Sequence, residues 1–206
     1  MFQPLNAFRR RGRASGLTLI ELVIVVAIVG TLVALTAPSF KRMIDIQRLR
    51  GINAALITDL QFARAEAASR NQRVWVRFTN TGTALTCYVI LTGDATQCSC
   101  QSVVNDVCPP IPGVGPGSPA IRTVRVEQSL GVTVTVPASQ TQYIGFDPAT
   151  GRLWNIPVDI PEPAIAPFRV NVQNTAIGGF QNEVELTGRP TVCSPGGLMS
   201  GVPSCS

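Results

Sequence analysis

The residues of this 206-residue sequence that could do chemistry fall into three groups: Glu21 inside a long apolar run, six cysteines, and Gly188-Arg189 late in the chain. Histidine is absent. That removes a His-based catalytic triad, an HExxH zinc site and the commonest general base. No nucleophile motif, phosphate-cradling glycine loop or metal constellation takes its place, so the sequence predicts no enzyme, no cofactor and no small-molecule substrate.

Glu21 is the only charge between Leu17 and Ala37, LTLIELVIVVAIVGTLVALTA. At about 1.5 Å per residue a helix of this length reaches about 31 Å, the thickness of a bilayer's hydrocarbon core, so a membrane span is expected. An unpaired carboxylate there costs about 2.5 to 3.5 kcal/mol. Either a cation pairs with Glu21, or the side chain lies near enough to the interface to be hydrated. Residues 1–16 carry Arg9, Arg10, Arg11 and Arg13 without an acid. The positive-inside rule therefore leaves them in the cytoplasm and exports the chain beyond the span. An ordinary signal peptide is cut after its apolar region, whereas here the small Ser15-Gly16 pair precedes the run, so a cut would retain the helix.

Ser15-Gly16, then Leu17-Thr18-Leu19-Ile20-Glu21, with Pro38 at the far end, resembles the class III signal of type IV pilins and type II secretion pseudopilins. The resemblance implies a prepilin peptidase cutting between Gly16 and Leu17 and methylation of the new amine. It also implies that Glu21 pairs with the Leu17 amine of a neighbouring subunit during assembly. Leu17 departs from the phenylalanine usual at the first mature position. The implied setting is a single pass in the inner membrane with a periplasmic head, which joins other minor and major pilins in a pilus or pseudopilus.

The elements that position these residues follow from periodicity. Pro38 lacks an N–H and is expected to kink the helix. Phe40, Ile44, Leu49, Ile52, Leu56, Leu60, Ala63 and Ala67 then form one apolar stripe, with Arg48, Asp59, Arg64 and Glu66 off it, and the helix should end near Arg70-Asn71-Gln72. The expected divisions are a leader at 1–16, a transmembrane helix at 17–38, an amphipathic helix at 39–72 and a β-rich head at 73–206.

Alternation predicts strands at Arg73–Phe78, with Val74, Val76 and Phe78 on one face, and at Ala84–Leu91, joined by a turn at Asn80-Thr81-Gly82. Others are expected at Ile121–Glu127, Val132–Val136, Tyr143–Phe146, Leu153–Ile156, Phe168–Val172 and Glu183–Thr187. Asp147-Pro148-Ala149-Thr150-Gly151 reads as a turn, and Thr92–Pro119 and Pro157–Pro167 as loops. The fold class is α+β, a long N-terminal helix laid on antiparallel sheet, which is also the pilin architecture. Asp59-Leu60-Gln61-Phe62-Ala63-Arg64-Ala65-Glu66-Ala67-Ala68-Ser69-Arg70-Asn71, Ile144-Gly145-Phe146-Asp147-Pro148 and Thr187-Gly188-Arg189 resemble the FimT, FimU and GspH branch of minor pilins and pseudopilins.

Cys87, Cys98, Cys100, Cys108, Cys193 and Cys205 all lie beyond the apolar run, where an oxidising compartment favours disulfides. Six cysteines permit fifteen pairings. The favoured expectation pairs Cys193 with Cys205 and leaves the other four to staple residues 87–108. The alternative makes Cys98, Cys100 and Cys108 thiolate ligands of a metal, at a spacing tighter than most zinc pairs. Charge is uneven, with eight basic and three acidic residues from Lys41 to Arg77, then five against eight from 78 to 206.

Three functions fit. One is a minor pilin that helps assemble or initiate a type IV pilus. Another is DNA binding in natural transformation, because the branch resemblance implies a Gly-Arg-x-Arg word that matches Gly188-Arg189 but ends here on Thr191 instead of arginine. Glu183 and Glu185 stand near Arg189, and a simple turn arginine explains it as well. The third is a GspH-like secretion pseudopilin. All three require the same maturation. N-terminal sequencing of the membrane-bound protein should begin at Leu17, and Gly16→Val should leave the chain uncut; a start after Ala37, or a cut Gly16→Val chain, would contradict this.

Overall fold

The computed structural model describes residues 16, 18–79, 85–93, 98, 100, 108, 120–154 and 166–205. The chain divides into two compact units, Met1–Arg42 and Met43–Ser206. Helix α1 runs Leu19–Arg70, and the division falls within it. Among the described residues no single helix is long and apolar enough to cross a membrane. Only taken together do the segments Leu19–Leu35 and Ser39–Arg70, on either side of the residues that include Pro38, meet the length and composition of a span. In the first unit the apolar side chains are uncovered, Leu22, Val25, Ile28 and Leu32 each being more than half exposed.

The second unit holds the C-terminal part of α1 and two antiparallel sheets. The first has the order β3-β2-β1-β5-β6, built from β1 (Val74–Thr79), β2 (Leu85–Thr92), β3 (Ala120–Glu127), β5 (Tyr143–Phe146) and β6 (Leu153–Trp154). The second has the order β4-β7-β8-β9, built from β4 (Thr133–Thr135), β7 (Phe168–Asn174), β8 (Gly178–Val184) and β9 (Pro190–Cys193). The α+β class expected from the sequence is therefore the one observed.

One core joins the three layers. Leu49, Leu56, Leu60, Ala63 and Ala67 of α1 are buried with Val74, Val76 and Phe78 of β1, Tyr88 and Ile90 of β2, and Phe168, Val170 and Val172 of β7. The Phe78 ring stacks on Phe168 across the sheets and lies 5.6 Å from Tyr88. β1 is also buried on its other face, where Trp75 packs with Val89, Leu91 and Cys98 in a second cluster. Helix α1 ends where Asn71 takes φ 52, a left-handed cap that asparagine tolerates.

Several expectations need correction. Phe40 and Ile44 are exposed, because the stripe is covered only from Leu49 onward. Asp59, assigned off the stripe, is 3% exposed and is held by two partners: the Tyr88 hydroxyl donates to Oδ2 at 2.7 Å and Arg122 Nη1 lies 2.8 Å from Oδ1. A carboxylate with both oxygens served tolerates a site that a lone charge would not. The strand expected at Glu183–Thr187 is instead β8, ending at Val184, and Glu185–Arg189 turns into a β9 that the sequence did not suggest. β8 starts early because Gly178 and Gly179 join the ladder opposite Asn174 and Gln173, although glycine weakens a strand. Pro190 suits the first position of β9, an edge strand. The turn expected at Asn80-Thr81-Gly82 and most of both long loops lie outside the described residues.

Tyr88 sets a pH dependence. Burial, and next the hydrogen bond to Asp59, push the Tyr88 hydroxyl well above its ordinary value. Neutral Tyr88 is the folded form, so its contribution is complete below about pH 10 and falls above it, where the unfolded chain alone loses the proton. Tyr88→Phe should flatten that alkaline fall. Asp59→Ala should cost about 1.5 to 3 kcal/mol at neutral pH. Thermal unfolding against pH reads both; a steep alkaline loss persisting in Tyr88→Phe would contradict the assignment.

Candidate functional site

In the first unit, Gly16 is exposed and Leu17 lies outside the described residues. Thr18 caps the helix, its Oγ1 accepting the Glu21 N–H at 3.3 Å and its carbonyl accepting the Leu22 N–H at 3.2 Å. The Thr18-x-x-Glu21 spacing is that of a capping box, and a carboxylate in the first turn faces the positive end of the helix dipole. That accounts locally for a glutamate at this position. The Glu21 side chain is nonetheless exposed and has no partner among the described residues, beside Ile20 and Leu22 at 64% and 56% exposure. An apolar surface of this extent is unsuited to water and calls for lipid or protein cover. Pro38 lies in the helical backbone, and nothing is described of its side chain.

In the second unit, Gly188 and Arg189 sit in the β8–β9 turn. The Gly188 N–H donates to Glu185 O at 2.7 Å, and the Glu185 N–H donates to Arg189 O at 3.0 Å. Against this turn lies the one at Asp147–Gly151. There Asp147 Oδ1 accepts from the Ala149 N–H, the Thr150 N–H and the Thr150 hydroxyl at 2.8 to 3.2 Å. Burial pushes the Asp147 carboxyl up, but the bonds from Thr150 and Ala149 and the charge of Arg73 outweigh it and hold the group below its ordinary value. The Leu153 N–H of β6, just after this turn, donates to Leu186 O in the β8–β9 turn at 3.1 Å.

Gly151 and Gly188 both have positive φ, 66° and 77°. A Cβ on Gly188 would collide with the Gly151 carbonyl oxygen, and one on Gly151 would collide with the Arg64 guanidinium. The glycines therefore let three segments meet: the two turns and α1 at Arg64. Glu183, near Arg189 in sequence, accepts from Arg169 Nε at 2.9 Å. Sequence reasoning missed Arg64 as a site residue, since a charge off the apolar stripe reads as solvated. The only signal was its place in a motif that also contains Asp59.

All six cysteines are paired, as Cys87–Cys100, Cys98–Cys108 and Cys193–Cys205. The thiolate reading of Cys98, Cys100 and Cys108 is therefore overturned. Among the described residues no cluster of His, Cys, Asp or Glu could hold a metal. The crossed pairs fasten the cysteine-rich segment to the first sheet, through Cys87 in β2 and a 3.1 Å hydrogen bond from Arg125 Nε of β3 to Cys100 O.

Residues 54–188 match the family described as type II transport protein GspH. The fold is similar to two crystal structures of the type IV minor pilin FimU of Pseudomonas aeruginosa (strain PAO1). One shares 15% identity, with 71% of this chain and 88% of that chain covered and a TM-score of 0.45. The other shares 16% identity, with 70% and 91% covered and a TM-score of 0.43. No curated protein matches the sequence.

The packing of the two turns gives a direct test. Gly188→Ala combines a left-handed φ with a collision against backbone, and should lower stability by about 1 to 3 kcal/mol or more. A thermal midpoint equal to that of the parent would contradict the described contact.

Proposed function

The chain belongs to the family of the type II transport protein GspH, and from that premise we propose that it is a minor pilin of a type IV pilus, contributing to its assembly or initiation. Pilins and pseudopilins are structural proteins that act with one another in a filament, and no enzymatic role is proposed. One observation carries the reading. The Leu19–Leu35 segment presents an uncovered apolar surface whose only charge is Glu21, exposed and unpartnered among the described residues.

Such a carboxylate fits a surface that is buried only after assembly. Cleavage at Gly16 would supply the Leu17 amine of a neighbour as its counter-charge, because a buried charge is tolerable when paired and costly when its partner is removed. Before assembly the segment anchors the chain in the inner membrane, with the head in the periplasm. The family's own description favours a second reading, a pseudopilin of a type II secretion system, which would use the same maturation and the same pairing. Neighbouring genes discriminate: other minor pilins and a tip adhesin favour the pilus, a secretin operon with secreted hydrolases the other.

The test replaces the carboxylate. Glu21→Val makes the run more apolar, so membrane insertion and leader cleavage should persist, while the unpaired Leu17 amine should cut incorporation into filaments by more than about a hundredfold, from about 3 to 5 kcal/mol. Immunoblots of sheared surface filaments and of membranes measure both. Normal incorporation of Glu21→Val would refute the proposed role.

A further inference from the structure

A groove of about 560 Å³ opens where α1 meets the two turns. Arg64 and Arg189 are its charged residues, Ala65, Ala68, Pro148 and Pro190 form much of its wall, and no acid lines it. Among the described residues, neither arginine side chain has a hydrogen bond or ion pair. Of the acids nearby, Asp147 is bonded within its own turn, Glu66 to Arg70 and Glu183 to Arg169, while Glu185 shares the turn with Arg189 but does not line the groove. Arg64 is half-buried.

The geometry of the floor is specific. Arg64 lies against Gly151 and Gly188 in space that a Cβ on Gly151 would take. Two arginines lining one groove, Arg64 with its guanidinium against the glycine turns, match a carboxylate, which accepts paired N–H bonds from the arginine fork. Small apolar walls of alanine and proline match the backbone and aliphatic carbons that carry such a carboxylate. We propose that this groove docks an acidic segment of a partner polypeptide, with Arg64 and Arg189 binding its Glu or Asp side chain.

Charge complementarity favours a peptide over a polyanion. Residues 43–206 carry eleven basic and eleven acidic residues. A neutral head offers little of the extended cationic field that nonspecific nucleic-acid affinity depends on, whereas two local cations suffice for one carboxylate. The inference is independent of the filament reading, because an acidic peptide binds or does not bind whichever machine the chain serves.

The experiment uses the full chain in detergent micelles and fluorescence anisotropy. The probes are a labelled, end-blocked Ala-Glu-Ala-Glu-Ala peptide, its Gln and Lys counterparts, and labelled oligothymidine. The Glu peptide should bind, with affinity about tenfold lower for the Gln peptide and for Arg64→Gln or Arg189→Gln. Arg189 is on an exposed turn, so its substitution leaves the fold intact, and Arg189→Glu should shift preference toward the Lys peptide. Equal binding of Glu and Gln peptides, affinity unchanged in the variants, or no peptide binding would overturn the proposal. So would oligothymidine binding more tightly than the Glu peptide and being lost in the same variants, which would make nucleic acid the occupant.

Discussion

The second unit depends on the burial of one face of α1 from Leu49 to Ala67. Its residues share one core with both sheets, Leu56, Leu60 and Ala63 being buried with Val76 and Val170. Polar contacts set its rotation. Asp59 is fixed to β2 and β3 through Tyr88 and Arg122, while Asn53 Oδ1 accepts from Asn182 Nδ2 of β8 at 2.7 Å. One helical face is thus bonded to both sheets. A rotation that kept the apolar side chains covered would still strand Asp59, at a cost larger than most single contacts contribute.

Much of this was legible in the sequence, and the exceptions have physical causes. The strand at Val74–Thr79 and the apolar positions of α1 from Leu49 follow periodicity, because burial repeats with the geometry of the element. Asp59 was misplaced because charge is read as exposure, and only Tyr88 and Arg122, distant in sequence, reverse that. β9 was invisible because it is only four residues long and opens on Pro190, a residue tolerated at a sheet edge. The pairing of Cys87 with Cys100 and Cys98 with Cys108 depends on three-dimensional proximity that spacing does not encode. Arg64 joined Gly151 and Gly188 through contacts between segments, which no local pattern announces.

The two units solve different solvent problems with one helix. From Leu19 to Leu35 every apolar side chain remains uncovered and a single carboxylate interrupts the surface; from Leu49 the apolar face is covered by the chain's own sheets. Membership of the GspH family gives this asymmetry its sense, since pilins and pseudopilins act by packing with one another. The head carries no excess charge, and among the described residues the turns around Gly151 and Gly188 lie so close that a Cβ on either glycine would collide with a neighbour.

Hydrogen exchange of the full chain in detergent micelles tests most directly whether α1 is a structural member of the head. Amides from Leu49 to Ala67 should exchange only with global unfolding, at the same free energy as those of β1, β2 and β7. Exchange of Leu49–Ala67 at rates well above those of the strands, with the strands still protected, would show that the sheets stand without the helix and would contradict the account.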